Sequence, residues 1–265
     1  MLIGTFNVNG IRACAKRGFG QWLPASGLDI LAIQEMRCKP EDLPDVFGGY
    51  HLTYFPGDVP GRNGVALVSK DEPEQVREGF GYTEDHEGRY LEADFPGLTV
   101  ASLYLPKGGV LDDSEGEAEK YRKKMDFIAA FRPYLDKACK TAQDNGKEFL
   151  VMGDFNIAHE NQDLKNWKTN QKSSGFLPEE RRWFDEVLAP GTLFDVVRRL
   201  NPDALGPYSW WSWRGKAFDN NAGWRIDYQL ATAGLASRAV SDKVERAEDY
   251  ASRLSDHAAV VVEYS

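Results

Sequence analysis

Four carboxylates stand where strand-like runs begin or end: Glu35, Asp154, Asp227 and Asp256. Two amides keep them company, Asn7 in Asn7-Val8-Asn9-Gly10 and Asn156 in Gly153-Asp154-Phe155-Asn156. His257 adjoins Asp256, and Tyr104 closes another run before Leu105-Pro106. Each alone is ordinary, since Asn-Gly and Gly-Asp are common turn chemistry. Together they are hard oxygen donors with no cysteine among them, a set that selects Mg²⁺ or Mn²⁺ over zinc. Carboxylate, amide, imidazole and phenol suit attack on a phosphodiester. A metal neutralises phosphate oxygens, a carboxylate orients or deprotonates water, and donors stabilise the pentacovalent transition state.

The elements that must position these groups are mostly strands. Apolar or alternating runs predict strands over Leu2–Val8, Ile30–Gln34, Tyr50–Phe55, Val65–Ser69, Tyr90–Phe95, Thr99–Leu105 and Phe149–Asp154. Later runs are Tyr208–Trp213, Arg225–Ala231, Val240–Glu245 and Ala258–Glu263. Helical patterns cover about Glu115–Gln143, where Pro133 should kink or divide the helix, and Pro178–Leu188 and Thr192–Leu200. Many strands and few, irregular helices do not fit a repeating βαβ barrel. They fit an α/β (α+β) architecture of two packed mixed sheets with helices outside. No repeat or low-complexity linker interrupts the chain, and the acidic run Asp112–Glu119 leads directly into a helical pattern. Residues 1–265 therefore read as one domain.

Composition sets outer bounds. The 265 residues carry 32 basic and 41 acidic side chains, a net charge of −9. An acidic total argues against nucleic acid unless a metal or local basic patches supply the missing positive charge. No run approaches the ~18 apolar residues of a membrane span, and Met1–Thr5 shows no signal-peptide pattern. Cys14, Cys38 and Cys139 are few, odd in number and without metal spacing. A reducing, cytoplasmic home is expected.

These segments resemble, in order and from end to end, the exodeoxyribonuclease III family of apurinic/apyrimidinic (AP) endonucleases, within the endonuclease/exonuclease/phosphatase superfamily. The matching stretches are Thr5-Phe6-Asn7-Val8-Asn9-Gly10-Ile11-Arg12, Ile33-Gln34-Glu35, Gly61-Arg62-Asn63-Gly64-Val65-Ala66 and Tyr104-Leu105-Pro106. Then come Gly153–Ala158, Ser174–Arg181, Tyr208-Ser209-Trp210-Trp211, Gly223-Trp224-Arg225-Ile226-Asp227-Tyr228 and Ser255-Asp256-His257. The resemblance implies a four-layer α/β sandwich (DNase I-like), agreeing with the pattern above.

By that resemblance the metal set is Asn7, Glu35, Asp154, Asn156, Asp256 and His257, with Glu35 the principal ligand for Mg²⁺, for which Mn²⁺ can substitute. Asn7 would orient Glu35 or touch the metal. The catalytic set is Tyr104, Asp154, Asn156, Asp227 and His257. Asp154 would position or deprotonate water, and Asn156, two residues on, would hold a phosphate oxygen or the water. Asp227 and His257 look like a carboxylate–imidazole pair. Two assignments stay open: His257 as a protonated donor to the scissile phosphate, or as general base oriented by Asp227. Tyr104 would contact the phosphate or stabilise the leaving 3′ oxygen.

DNA contacts are expected from Arg12, Arg62, Lys107, Asn170 and Lys172. Trp210, Trp224 and Ile226 would line an apolar pocket for a flipped, base-free sugar, which leaves the stack cheaply. Three features depart from the family pattern. Lys107 stands where Asn or Gln is frequent, and Gly108–Glu119 is acidic where a basic or wedge-like loop is expected. Asn9 stands where some relatives have a carboxylate. The expectation is a monomeric, Mg²⁺-dependent hydrolase of base excision repair. It would act on double-stranded DNA with abasic sites or blocked 3′ ends, with no membrane partner. It would incise 5′ to abasic sites, with 3′→5′ exonuclease and 3′-end-trimming activity. One alternative is a phosphoesterase of the same superfamily acting on a phosphorylated lipid or sugar. Another is a non-catalytic DNA-binding relative, which should have lost metal or general-base positions; this chain keeps them.

Overall fold

In a computed structural model of the chain, residues 1–82, 88–110 and 114–265 are described. The elements run β1 (Leu2–Asn7), α1 (Ile11–Lys16), α2 (Phe19–Ser26), β2 (Ile30–Gln34), β3 (His51–Phe55), β4 (Val65–Ser69) and β5 (Gln75–Glu78). Then follow β6 (Tyr90–Phe95), β7 (Leu98–Tyr104), α3 (Glu115–Asp144), β8 (Glu148–Asp154), α4 (Pro178–Leu188) and β9 (Leu193–Asp195). Last come α5 (Val196–Leu200), β10 (Asp227–Thr232), α6 (Ala233–Ser237), β11 (Ala239–Val244) and β12 (Val260–Tyr264).

Among the described residues, these strands form two six-stranded mixed sheets, ordered β11-β12-β1-β2-β4-β3 and β5-β6-β7-β8-β10-β9. Alternation along each strand assigns its two faces. Ile3, Ile30, Ala32, Leu91, Val100, Leu150 and Val262 fill the core between the sheets. Phe6, Val8, Leu31 and Ile33 turn outward, where Cys14 of α1 and Phe19 and Leu23 of α2 cover them. On the other outer face, Phe127, Ile128, Phe131 and Leu135 of α3 and Trp183 and Phe184 of α4 pack over Ala101, Leu103 and Val151. The result is a four-layer α/β/β/α sandwich.

Buried amides pin the two sheets together. Gln34 Nε2 donates to Ser102 Oγ at 3.1 Å, and Gln229 Nε2 donates to the carbonyls of Ile3 at 3.0 Å and Val260 at 3.1 Å. A register slip would strand these groups without partners, at a cost of about 1–3 kcal/mol each.

The structure departs from the sequence expectation at several elements. Tyr208–Trp213 is not a strand. Its backbone bonds go to loop residues ahead of β10 and β12, with Ser209 and Trp210 N–H donating to the Trp224 carbonyl and Trp211 N–H to that of Asp256. Only isolated bridges, Trp210 to Trp224 and Trp210 to His257, remain. Thr192–Leu200 divides into β9 and α5 at Asp195, whose side chain accepts the Arg198 N–H at 3.1 Å as a helix cap. Pro133 leaves α3 continuous over 30 residues. It sits on the exposed side, where water can satisfy the freed carbonyl. The edge strand β5 is largely polar, so it carries no apolar alternation. Arg77 ties it to Glu92 and Asp94 at 2.8 Å each. The short helices α1, α2 and α6 are too brief for periodicity to reveal. Residues 111–113, which include Asp112 and Asp113 of the acidic run, lie outside the described residues.

Candidate active site

Strand direction gathers the polar residues. β1 and β2 are parallel, as are β7 and β8, so Asn7, Gln34, Tyr104 and Asp154 all fall at strand ends on one side of the sandwich. β10 runs antiparallel to β8 and starts there, with Asp227 the register partner of Asp154. β12 runs antiparallel to β1, which brings Asp256 and His257 to the same rim.

The turns that follow are conformationally unusual. Asn9, Glu35, Arg37 and Asn156 all have φ between 46° and 54°. Such values are uncommon for residues other than glycine and cluster where a fold fixes a functional turn. Gly153, at φ 148°, is required by packing: a β-carbon there would lie 1.9 Å from the Leu103 carbonyl oxygen. That close approach sets Asp154 beside Tyr104.

One amide stands at the centre. Asn7 Nδ2 donates to Glu35 Oε1 and to Asp154 Oδ2, both at 2.8 Å, joining one carboxylate from each sheet. Its own Oδ1 accepts the Asn9 N–H at 3.0 Å. The amide thus holds Glu35 and Asp154 at a fixed separation. Asn9 Nδ2 in turn donates to Asp256 Oδ1 at 2.8 Å, and Trp210 Nε1 donates to Asp256 Oδ2 at 3.1 Å.

Across the rim, Asp227 Oδ2 meets His257 Nδ1 at 2.9 Å and accepts the Ser209 hydroxyl at 2.5 Å. His257 Nε2 lies 3.8 Å from Asp154 Oδ2. Asn156 donates through Nδ2 to the Leu105 carbonyl at 2.9 Å, and its N–H donates to Asp154 Oδ1 at 2.9 Å. Burial opposes the His257 imidazolium, but the Asp227 carboxylate, then Asp154 and Asp256, outweigh it and lift it to about 10. Burial also pushes the Asp154 carboxyl up to about 7. His257 opposes that rise, and the charges of Asp227 and Glu35 reinforce it. Burial and the Glu35 charge hold the Tyr104 phenol well above its ordinary value. Asp256 stays below its own despite burial, held by His257, Trp210 and Asn9.

Glu35, Asp154 and His257 present ligand atoms within 4.8 Å of one another, a group that could hold a metal ion. The Asp227 Oδ1 and Glu35 Oε2 atoms are buried and accept no hydrogen bond among the described residues. Oε2 does meet the Arg37 guanidinium as an ion pair. Crowded, incompletely satisfied carboxylates with no thiolate fit a hard divalent cation.

A cleft of about 300 Å³ opens over this group. It is lined by Glu35, Tyr104, Asp154, Asn156, Asp256 and His257, and by Trp210, Trp224 and Ile226. The two tryptophan rings meet edge to face with centroids 6.2 Å apart, over the buried Ile226. Lys107 and Asn170 reach the same cleft. Arg62 and Lys107 border a neighbouring cleft of about 560 Å³ that also exposes Lys120 and Lys123. Arg12 is exposed on α1, and Lys172 is exposed in the turn after Asn170, outside both clefts.

Sequence reasoning missed Arg37, Ser209 and Ser255. Arg37 NH1 donates to Asn9 Oδ1 at 2.6 Å, and Ser255 Oγ donates to the Asn7 carbonyl at 2.8 Å. Position two after Glu35 was the available signal for Arg37; nothing local marks Ser209.

The endonuclease/exonuclease/phosphatase family matches residues 4–257. The chain belongs to that family. The DNA repair nuclease APEX1 of Danio rerio is 37% identical over 92% of this chain and 77% of its own length. Exodeoxyribonuclease III of Haemophilus influenzae is 34% identical over 98% of both chains. Among solved structures, an AP endonuclease from Archaeoglobus fulgidus superposes with a TM-score of 0.88 at 30% identity, covering 100% of this chain and 99% of that one. Within the family the chain falls in the exodeoxyribonuclease III and AP endonuclease group, as a nuclease-type hydrolase of DNase I-like fold. Among the described residues, no helix of this family member is long and apolar enough to cross a membrane.

Proposed function

We propose that this family member is a Mg²⁺-dependent DNA repair phosphodiesterase. It acts as a single domain and monomer, incising duplex DNA 5′ to abasic sites and trimming blocked 3′ ends through the same site. The observation that carries the reading is one cleft with two halves. A buried Asp154–His257–Asp227 array and Glu35 make up the polar half, and Trp210, Trp224 and Ile226 the apolar half. A phosphodiester and a base-free sugar are neighbours in that product's precursor, and the halves are neighbours here.

Glu35, with Asp154 and Asp256, would hold the cation. Once bound, Mg²⁺ supplies positive charge that neutralises the phosphate and favours the ionised carboxylates. The protein groups do the rest. Asp154 orients water and takes its proton. His257, charged through neutral pH, donates from Nε2 to a phosphate oxygen while Asp227 fixes Nδ1. Asn156 and Tyr104 contact phosphate oxygens. Water forms a bond to phosphorus as the P–O3′ bond breaks, and the departing 3′ oxygen takes a proton from solvent, giving a 3′-hydroxyl and a 5′-deoxyribose phosphate. Arg12, Arg62, Lys107, Asn170 and Lys172 meet the DNA backbone, whose readout carries position rather than sequence.

The test is an end-labelled duplex with one abasic analogue, incubated with Mg²⁺ or EDTA beside an intact duplex. Mg²⁺-dependent incision at the lesion is the expected result. Shortening of the intact duplex measures the exonuclease share. No cleavage of either would overturn the proposal and point to phosphorylated lipids or sugars.

A further inference from the structure

A fully buried lysine lies beneath the cleft, among none of the groups used above. Lys124 projects from the core side of α3, and its ammonium meets three acceptors. They are Glu180 Oε1 at 2.6 Å, the Asn156 carbonyl at 2.8 Å and the Lys107 carbonyl at 3.3 Å. The two carbonyls accept its hydrogen bonds, and Glu180 Oε1 meets it as an ion pair. Glu180 is equally buried and accepts the Leu177 N–H through Oε2 at 2.9 Å, where α4 begins.

Three walls of the cleft therefore converge on one charge: the turn after β7, the Asn156 turn after β8, and the 173–177 segment leading into α4. Cross-links reinforce them. Asn156 Nδ2 donates to the Leu105 carbonyl at 2.9 Å, and Ser174 Oγ donates to the Lys107 carbonyl at 2.8 Å. Asn156 itself sits at φ 49°, a conformation that persists only where its surroundings impose it. Packing alone gives no reason for a charge here, since apolar pairs fill buried volume without the desolvation cost.

We propose that Lys124, held by Glu180, is a positioning residue: it fixes Asn156 and Lys107 relative to each other so that both face the phosphate before substrate arrives. The inference rests on the phosphodiesterase reading above.

The test replaces the pair by apolar groups of similar size, Lys124→Met with Glu180→Leu, a change buried ion pairs often tolerate. Lys124→Arg, which keeps a charged donor, and Lys124→Met alone complete the set. Melting temperature, kcat, KM and the Mg²⁺ dependence of incision are measured for each on the abasic duplex. The double variant should melt near the unmodified protein, keep its KM and half-saturating Mg²⁺, and lose about 10- to 100-fold in kcat, the scale of a misplacement near 1 Å. Lys124→Arg should recover part of that loss. Two results would overturn the inference: a double variant within about 2-fold of full kcat, or losses that follow melting temperature instead of the presence of a donor at position 124. An inactive unmodified protein would instead strike the phosphodiesterase reading, which separates the two failures.

Discussion

Asp227 and Asp154 face each other as register partners across β10 and β8, and His257 joins them, 2.9 Å from one and 3.8 Å from the other. Two buried carboxylates this close repel, and the imidazolium between them relieves the repulsion. Charge, geometry and stability are tied together at this point.

A pH prediction follows for the metal-free protein. The folded His257 binds its proton up to about 10, against 6.5 ordinarily. Its raised value contributes stability that is complete below pH 6.5 and lost as pH rises through 10. Asp154 also binds a proton more tightly when folded, so its effect has the same sign, falling between 3.8 and about 7. In EDTA the melting temperature should fall from pH 7 to pH 10. Asp227→Asn should flatten that fall and bring the His257 titration, followed by NMR, toward its ordinary value. An unchanged His257 titration in that variant would contradict the pairing.

Asn7→Ala removes the amide that donates to Glu35 and Asp154 together. The facing carboxylates then lose their shared donor and their fixed separation. Metal affinity and incision rate should each drop about 10- to 100-fold, the usual cost of removing an orienting partner. Calorimetric Mg²⁺ titration beside single-turnover cleavage measures both.

Trp224→Ala opens the pocket wall opposite Trp210. A wider pocket should admit a base-bearing nucleotide. The ratio of abasic incision to removal of intact 3′ nucleotides should fall about 10-fold, as expected for a cavity defined only by shape. A ratio that stays constant would place the sugar elsewhere.

Arg225→Met tests the support of the strand that carries Asp227. Arg225 is buried and donates to Asp163 Oδ1 and Asp195 Oδ2, each at 2.7 Å, and to Asp163 Oδ2 at 3.1 Å. Removing it takes the ion-pair partner from Asp195 while Asp163 keeps Arg198, a loss of about 3 kcal/mol by urea unfolding. Asp163 is held below its ordinary value because Arg225 and its hydrogen bonds outweigh burial. Its contribution is therefore present at neutral pH and disappears as pH falls below 4, an acid sensitivity that should weaken in the variant, where Arg198 and the Glu160 N–H remain.

Local chemistry made much of this legible in the sequence. Strands that are apolar on a fixed period announced both sheets, because a buried face needs that period whatever its neighbour. Asp154 and Asn156, two apart at a strand end, and Asp256 beside His257, could be named because their grouping is sequential. Lys172 was named from the same basic stretch as Asn170. It is exposed and lines neither cleft, because local charge does not specify the side of a turn.

What only the tertiary structure decided depends on long-range convergence. Asn7 and Asp154 are 147 residues apart, and Asp227 and His257 are 30 apart. Their meeting follows from strand order and direction, which no local period encodes. Tyr208–Trp213 has strand composition, yet its backbone bonds go to the separate loops at Trp224 and Asp256. The Lys124–Glu180 pair reads as a helix surface charge in sequence, because burial is a property of what packs against a residue. The sequence by itself determined which chemical groups exist and which runs must be buried. The packing of the two sheets decided which groups touch, and therefore which of them share protons, charge and substrate.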